Sequence, residues 1–255
     1  MIPFIRDRVR AGELLAGTFC NIGSSLTVEM AGRAGFDWIL VDLEHGAGDE
    51  AALLHQLHAA GCTPGVVVVR VAWNDPVRFK RVLDLGPAGV MAPYVETAEE
   101  ARRAAAAMRY PPAGIRGVAR MNRASGFGRD FTGYFNTAND SLLTVVQIET
   151  SAALEHAGDI AAVEGVDVLF VGPLDLSVSL GIPGETDHPR FRAALEKIAR
   201  AAKGAGKAAG ILAAGKAEIG PLVGMGYTFV ALGSDGGFVA SAMSDAAAAF
   251  LPFRK

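Results

Sequence analysis

Short apolar runs alternate along the chain with longer stretches in which apolar side chains recur every three or four positions. The runs predict strands near 15–22, 36–44, 64–71, 88–94, 142–149, 167–172, 208–213 and 227–232. The periodic stretches predict helices near 24–34, 49–60, 76–85, 97–108, 151–157, 188–204, 216–224 and 236–250. Runs such as Val66-Val67-Val68-Val69 leave no polar face, as expected of parallel strands buried on both sides. A strand followed by a helix, repeated to the end of the chain, is the pattern of an α/β TIM (β/α)8 barrel. A doubly wound open sheet is the rival fold. Its dinucleotide-binding version is weakened because no Gly-x-Gly-x-x-Gly follows the first run.

One segment breaks the rhythm. From Tyr110 to Asp140 the chain is rich in Gly and Arg, with Pro111-Pro112-Ala113-Gly114-Ile115-Arg116-Gly117 followed by Arg120, Arg123 and Arg129. It predicts an ordered loop that starts on the face opposite the catalytic rim, wraps around, and serves an interface or the active site. The length of 255 residues suits one barrel, and a hydrophobic share of 51% can fill its core. The expected organisation is a single domain, 1–255. Its last helix, about 236–250, carries few charges to face water and is expected to pack against another subunit.

Charge narrows the functions. The net charge of −3 with interspersed signs offers no footprint for nucleic acid. Arg6, Arg8 and Arg10 stand among Asp7 and Glu13 and read as a solvated helix face. Cys20 and Cys62 have no ligand spacing and read as reduced, buried thiols. The start Met1-Ile2-Pro3-Phe4-Ile5 is too short for a secretory core, and no uncharged apolar run reaches the roughly 18 residues of a membrane span. A soluble cytoplasmic protein is expected, with neither membrane nor nucleic acid as partner.

The chemistry gathers at strand ends. Glu149 closes one run and Asp175 follows the next, so neighbouring parallel strands would deliver both carboxylates to one rim. Two hard oxygen ligands without His or Cys suit Mg²⁺ or Mn²⁺ and leave positions for water and a chelating 2-oxo acid. Taken singly, each carboxylate could equally be a helix cap or half of an ion pair. His45 follows Trp38-Ile39-Leu40-Val41-Asp42-Leu43-Glu44, a place for a general base. Arg70 ends four valines and must meet an anion, either a substrate oxyanion or Asp42 or Glu44. Gly172-Pro173-Leu174-Asp175 presents backbone N–H groups around a turn, suited to a small carboxylate. Asp84 is, by itself, an acidic residue near a helix terminus. The paired His55 and His58 read as surface residues.

These stretches, together with Leu83-Asp84-Leu85-Gly86-Pro87-Ala88-Gly89, Tyr110 to Gly117 and Gln147-Ile148-Glu149-Thr150, resemble the HpcH/HpaI aldolases from about residue 5 to 250. The likeness is greatest to those acting on 4-hydroxy-2-oxoheptanedioate. The resemblance implies a barrel of the phosphoenolpyruvate/pyruvate-domain type and a class II pyruvate aldolase assembled as a homohexamer, a trimer of dimers. It implies a divalent cation (Mg²⁺, Mn²⁺ or Co²⁺) on Glu149 and Asp175, with Gln147, Leu174 and Asp175 against the oxo acid. His45 would be the base, Asp84 would raise its basicity, and Arg70 would stabilise the oxyanion. The region choosing the aldehyde, including Arg123 and Leu212 to Lys216, stays open. A Schiff-base route would need a lysine inside the barrel, and every lysine falls on a helix or loop in this reading. A citramalyl- or malyl-CoA lyase-like enzyme and a non-catalytic oxo-acid-binding barrel are the alternatives.

Overall fold

Eight parallel strands close on themselves in sequence order: β1 Leu15–Cys20, β2 Trp38–Asp42, β3 Val66–Arg70, β4 Gly89–Ala92, β5 Leu143–Ile148, β6 Val168–Val171, β7 Ala208–Ala213 and β8 Tyr227–Ser234. The pairing of β1 with β8 excludes the open sheet. The structure, a computed structural model, describes residues 4–254. Met1, Ile2 and Pro3 of the opening stretch, and Lys255, lie outside the described residues.

Alternation along the strands sorts their side chains into two cores. Outward positions such as Ile39, Val41, Val67, Val69, Val146 and Ile148 pack under the helices. Inward positions, among them Trp38, Leu40, Val66, Val68, Leu143, Val145, Val168 and Phe170, fill the barrel. Trp38 stacks on Phe229 at 3.9 Å between centroids and meets Phe170 edge-on at 6.1 Å. Gly17 permits this, because a Cβ there would overlap the Trp38 ring. The inward rows, continued by two residues toward the carboxyl end, arrive at Asp42, Arg70, Gln147 and Gly172, and one step more on β5 brings Glu149.

Helix Arg6–Arg10 plugs the opposite end, with Ile5 and Val9 joining the inner core. Arg6 is buried, its Nε donating to Asp167 Oδ1 at 2.9 Å, while the Thr144 N–H occupies Asp167 Oδ2 at 3.0 Å. This corrects the reading of Arg6 as a solvated residue; Arg8 and Arg10 are exposed. Cys20 is buried but Cys62 is exposed, and both are free.

Helices Phe131–Ser141 and Pro173–Ser179 were not expected from the pattern. The first has weak helix formers, and aromatic packing holds it: Phe135 stacks on Phe131 at 5.6 Å and on Tyr110 at 4.8 Å. The second begins with Pro at its first position, where a missing N–H costs nothing. The last helix, Asp235–Ala248, is tied down only at its start, where Asp235 accepts from the Asn21 N–H at 2.8 Å and Thr27 Oγ1 at 2.7 Å. Beyond it Phe238, Val239, Met243, Phe250, Leu251 and Phe253 face solvent. By length and composition the 19-residue segment Asp235–Phe253 is the one described helix apolar enough to cross a membrane, and within it only Asp235 is buried. Asp245 interrupts the segment, so it holds no uncharged apolar run of that length.

Candidate active site

The polar groups that end the inward rows form one connected chain at the carboxyl rim. Strand register places Asp42 beside Arg70. Arg70 donates from Nε to Asp42 Oδ1 at 2.9 Å and from Nη2 to Asp42 Oδ2 at 2.7 Å, a bidentate fork that fixes the guanidinium plane. Its remaining nitrogen, Nη1, lies 3.5 Å from Gln147 Oε1 and 3.1 Å from Glu44 Oε2. Gln147 Nε2 donates in turn to Glu149 Oε2 at 2.9 Å. Glu149 Oε1 accepts the Tyr94 N–H at 2.7 Å. Gly172 leaves room for this carboxylate, since a Cβ there would stand 2.5 Å from Glu149 Oε2 and push it from its place.

Of the expected alternatives for Arg70, the ion pair is present, with Asp42 and with Glu44. Asp42 is the organiser that sequence reasoning treated only as a possible counter-ion. Its Oδ1 also accepts the Glu44 N–H at 3.0 Å and the His45 N–H at 3.3 Å, so one carboxylate aims Arg70 and shapes the turn carrying His45. Burial alone would raise the Asp42 carboxyl, but hydrogen bonds and charge from Arg70 hold it below its ordinary value. The signal was readable in outline: Asp42 lies two residues before Glu44 on one face of the strand.

Glu149 behaves oppositely. Burial pushes its carboxyl up to about 7, and Glu44 and Asp175 add repulsion that the Tyr94 N–H and Arg70 only partly offset. Glu44 is likewise raised, chiefly by burial, with Asp42 and Asp175 contributing. Glu149 and Glu44, both raised, stand with Asp175 as a group of hard oxygens short of positive charge, which fits a divalent cation. Among the described residues no group of three or more His, Cys, Asp or Glu is arranged as a complete ligand set. The fit is that of the Glu149 and Asp175 pair, with most coordination positions left to small molecules. Asp175 and Leu174 lie in the first turn of helix Pro173–Ser179, whose N–H groups have no partner within the helix. The Leu174 side chain is exposed.

His45 stands at the mouth, its side chain 67% exposed and its Nε2 3.9 Å from Glu44 Oε2. Asp84 is not with it. Helix Pro76–Leu85 starts at the carboxyl end of β3 and runs back, so Asp84 in its last turn sits near the amino ends of the strands. There it accepts from Arg116 Nη2 at 3.2 Å and Asn122 Nδ2 at 3.1 Å. Arg116 is buried between the Tyr110 ring at 4.4 Å and the Tyr134 ring at 5.5 Å. The ordered loop after Tyr110 therefore packs around Asp84 on the face opposite the rim. Within one chain, Asp84 cannot act on His45. Among the described residues no lysine lies on a strand.

Residues 15–242 match the HpcH/HpaI aldolase/citrate lyase family model. The chain belongs to that family. It is 41% identical over 246 residues to the 4-hydroxy-2-oxo-heptane-1,7-dioate aldolase of Salmonella dublin, covering 96% of this chain and 93% of that one. Its fold matches an HpcH/HpaI aldolase/citrate lyase family protein of Burkholderia cenocepacia J2315 with TM-score 0.91 and 36% identity, over 95% and 96% of the two chains. It also matches the HpcH/HpaI aldolase of Desulfitobacterium hafniense DCB-2 with TM-score 0.90 and 31% identity, over 97% and 96%. Family membership makes the chain a carbon–carbon lyase of the aldolase type.

Proposed function

We propose that this chain is a class II pyruvate aldolase that cleaves a 4-hydroxy-2-oxo acid to pyruvate and an aldehyde, reversibly, and accepts hydroxypyruvate as an alternative donor. The observation that carries the reading is the chain Asp42–Arg70–Gln147–Glu149 along the rim, with Asp175 close enough to raise Glu149. Glu149 and Asp175 would hold the divalent cation (Mg²⁺, Mn²⁺ or Co²⁺), which would supply Lewis-acid polarisation of the 2-oxo group.

The protein's own groups do the rest. First-turn N–H groups at Leu174 and Asp175, beside Gly172, receive the carboxylate of the oxo acid, and Gln147 borders it. Arg70, locked by Asp42 on two nitrogens, presents Nη1 to the 2-oxo oxygen, where negative charge grows. His45 takes the proton of the C4 hydroxyl. The C3–C4 bond breaks, its electrons passing into the enolate as the C4 oxygen becomes the aldehyde carbonyl. Protonation at C3 then yields pyruvate.

Two features support a homohexamer, a trimer of dimers, as the working form of this soluble cytoplasmic enzyme, although the number of subunits rests on the family likeness alone. The apolar face of helix Asp235–Ala248 is uncovered in a single chain. A role for Asp84 in raising the basicity of His45 also requires Asp84 to come from another copy. The test is deuterium exchange of the pyruvate methyl protons, with and without EDTA. Exchange and aldol cleavage should vanish on chelation and return with Mn²⁺, Mg²⁺ or Co²⁺; full turnover of metal-free protein would refute the class II assignment.

A further inference from the structure

Tyr94 is held in a left-handed backbone conformation, φ 50°, which a bulky side chain adopts only where its surroundings enforce it. What enforces it is visible, since this turn is what aims the Tyr94 N–H at Glu149 Oε1, 2.7 Å away. The same turn, just past the carboxyl end of β4, sets the ring beside Trp73, just past the carboxyl end of β3, at 5.9 Å between centroids and 31° between planes. The Trp73 segment is itself pinned. Asn74 Nδ2 donates to the Glu100 carbonyl at 3.0 Å, and Asp75 caps the next helix by accepting from the Val77 N–H at 2.7 Å. Two fixed aromatic residues nevertheless remain wet, Trp73 57% and Tyr94 38% exposed.

We propose that Trp73 and Tyr94 form the acceptor subsite, a rigid aromatic wall that binds the part of the aldehyde beyond its carbonyl and favours aldehydes with an aromatic or other planar apolar substituent. The occupant follows from continuity, because the wall is joined to Glu149 through one backbone hydrogen bond and so borders the rim from which a group bonded to the reacting carbonyl extends. Offset ring contacts then reward a planar substituent and give nothing to a short hydroxylated one. This inference rests on the pyruvate aldolase reading and adds the substrate class.

The test compares kcat/KM for addition of Mn²⁺-bound enzyme and pyruvate to benzaldehyde and to glycolaldehyde, in wild type, Trp73→Ala and Tyr94→Leu. Both substitutions keep the backbone N–H to Glu149. The benzaldehyde-to-glycolaldehyde ratio should fall about 3- to 10-fold in each variant, the range of an aromatic pair contact. An unchanged ratio overturns the proposal while leaving the aldolase reading intact. Loss of assembly in Trp73→Ala, seen by light scattering, also overturns it, by making the pair a subunit interface. A wild-type enzyme that neither exchanges pyruvate protons nor adds any aldehyde overturns both readings.

Discussion

Asp42→Asn removes one charge and one acceptor from the carboxylate that holds two functional groups in place. In the folded protein Arg70 is 8% exposed and Asp42 3%, so the pair is effectively dry. Breaking a buried ion pair by removing one partner costs roughly 3–5 kcal/mol, because the other charge stays buried. Asparagine keeps one acceptor for the fork, and Glu44 stands 3.1 Å from Arg70 Nη1 as a substitute counter-ion, so the lower end, about 3 kcal/mol, is expected. The guanidinium should then turn toward Glu44, and the turn carrying His45 loses its tie to Oδ1. Misaiming a charge-stabilising donor lowers kcat by about 10²–10³. Urea unfolding and Mn²⁺-dependent pyruvate proton exchange measure the two losses. Because the folded carboxyl lies below its unfolded value of 3.8, the stabilisation is present above that pH and disappears as pH falls through the folded value. The gap between wild type and variant should therefore be constant from about pH 5 to 8 and close only in acid. A variant within about 0.5 kcal/mol of wild type, with undiminished exchange, would show that Asp42 organises neither group.

Cation affinity should rise with pH up to about 7 and then level, since the raised Glu149 carboxyl must lose its proton to bind. Mn²⁺ titration at pH 5.5 and 8 checks this, with Glu149→Gln expected to abolish the response. His45→Ala should slow aldol cleavage by about 10²-fold or more with the fold intact, and near wild-type rates would assign the proton transfer to another group. Truncation after Ser241 removes residues that are exposed within the chain, so far-UV circular dichroism should persist while light scattering reports a smaller assembly. A truncated chain that keeps its size would move the interface elsewhere.

The barrel was legible because strand parity is strict: the residues that fill the core and those that end the rows as chemistry occupy the same inward positions. Arg70 and Glu149 could be placed at the rim from that rule, and His45 and Asp175, out of phase with it, from their positions just past the ends of their strands. Asp84 could not, since its helix runs antiparallel to the strands and carries it to the other end, a fact that likeness of motifs does not encode. The helix at Phe131–Ser141 was hidden because an aromatic contact across 25 residues, not local propensity, holds Phe135 against Tyr110. Pro173 was taken for a turn, although proline also opens helices. Nothing in the apolar pattern marks Tyr94 as left-handed, because its N–H bonds to Glu149, just past the end of the next strand.

The stacked rings beneath the site have a stereochemical consequence. Trp38, Phe170 and Phe229 close the floor with no more than 1% of their surface exposed, so water has no route from below. In the proposed reaction, an enolate lying flat above them would meet solvent on one face only. New bonds to its carbon, whether to hydrogen or to an aldehyde, would then form from the open side, with the donor's facial selectivity set by aromatic packing beneath.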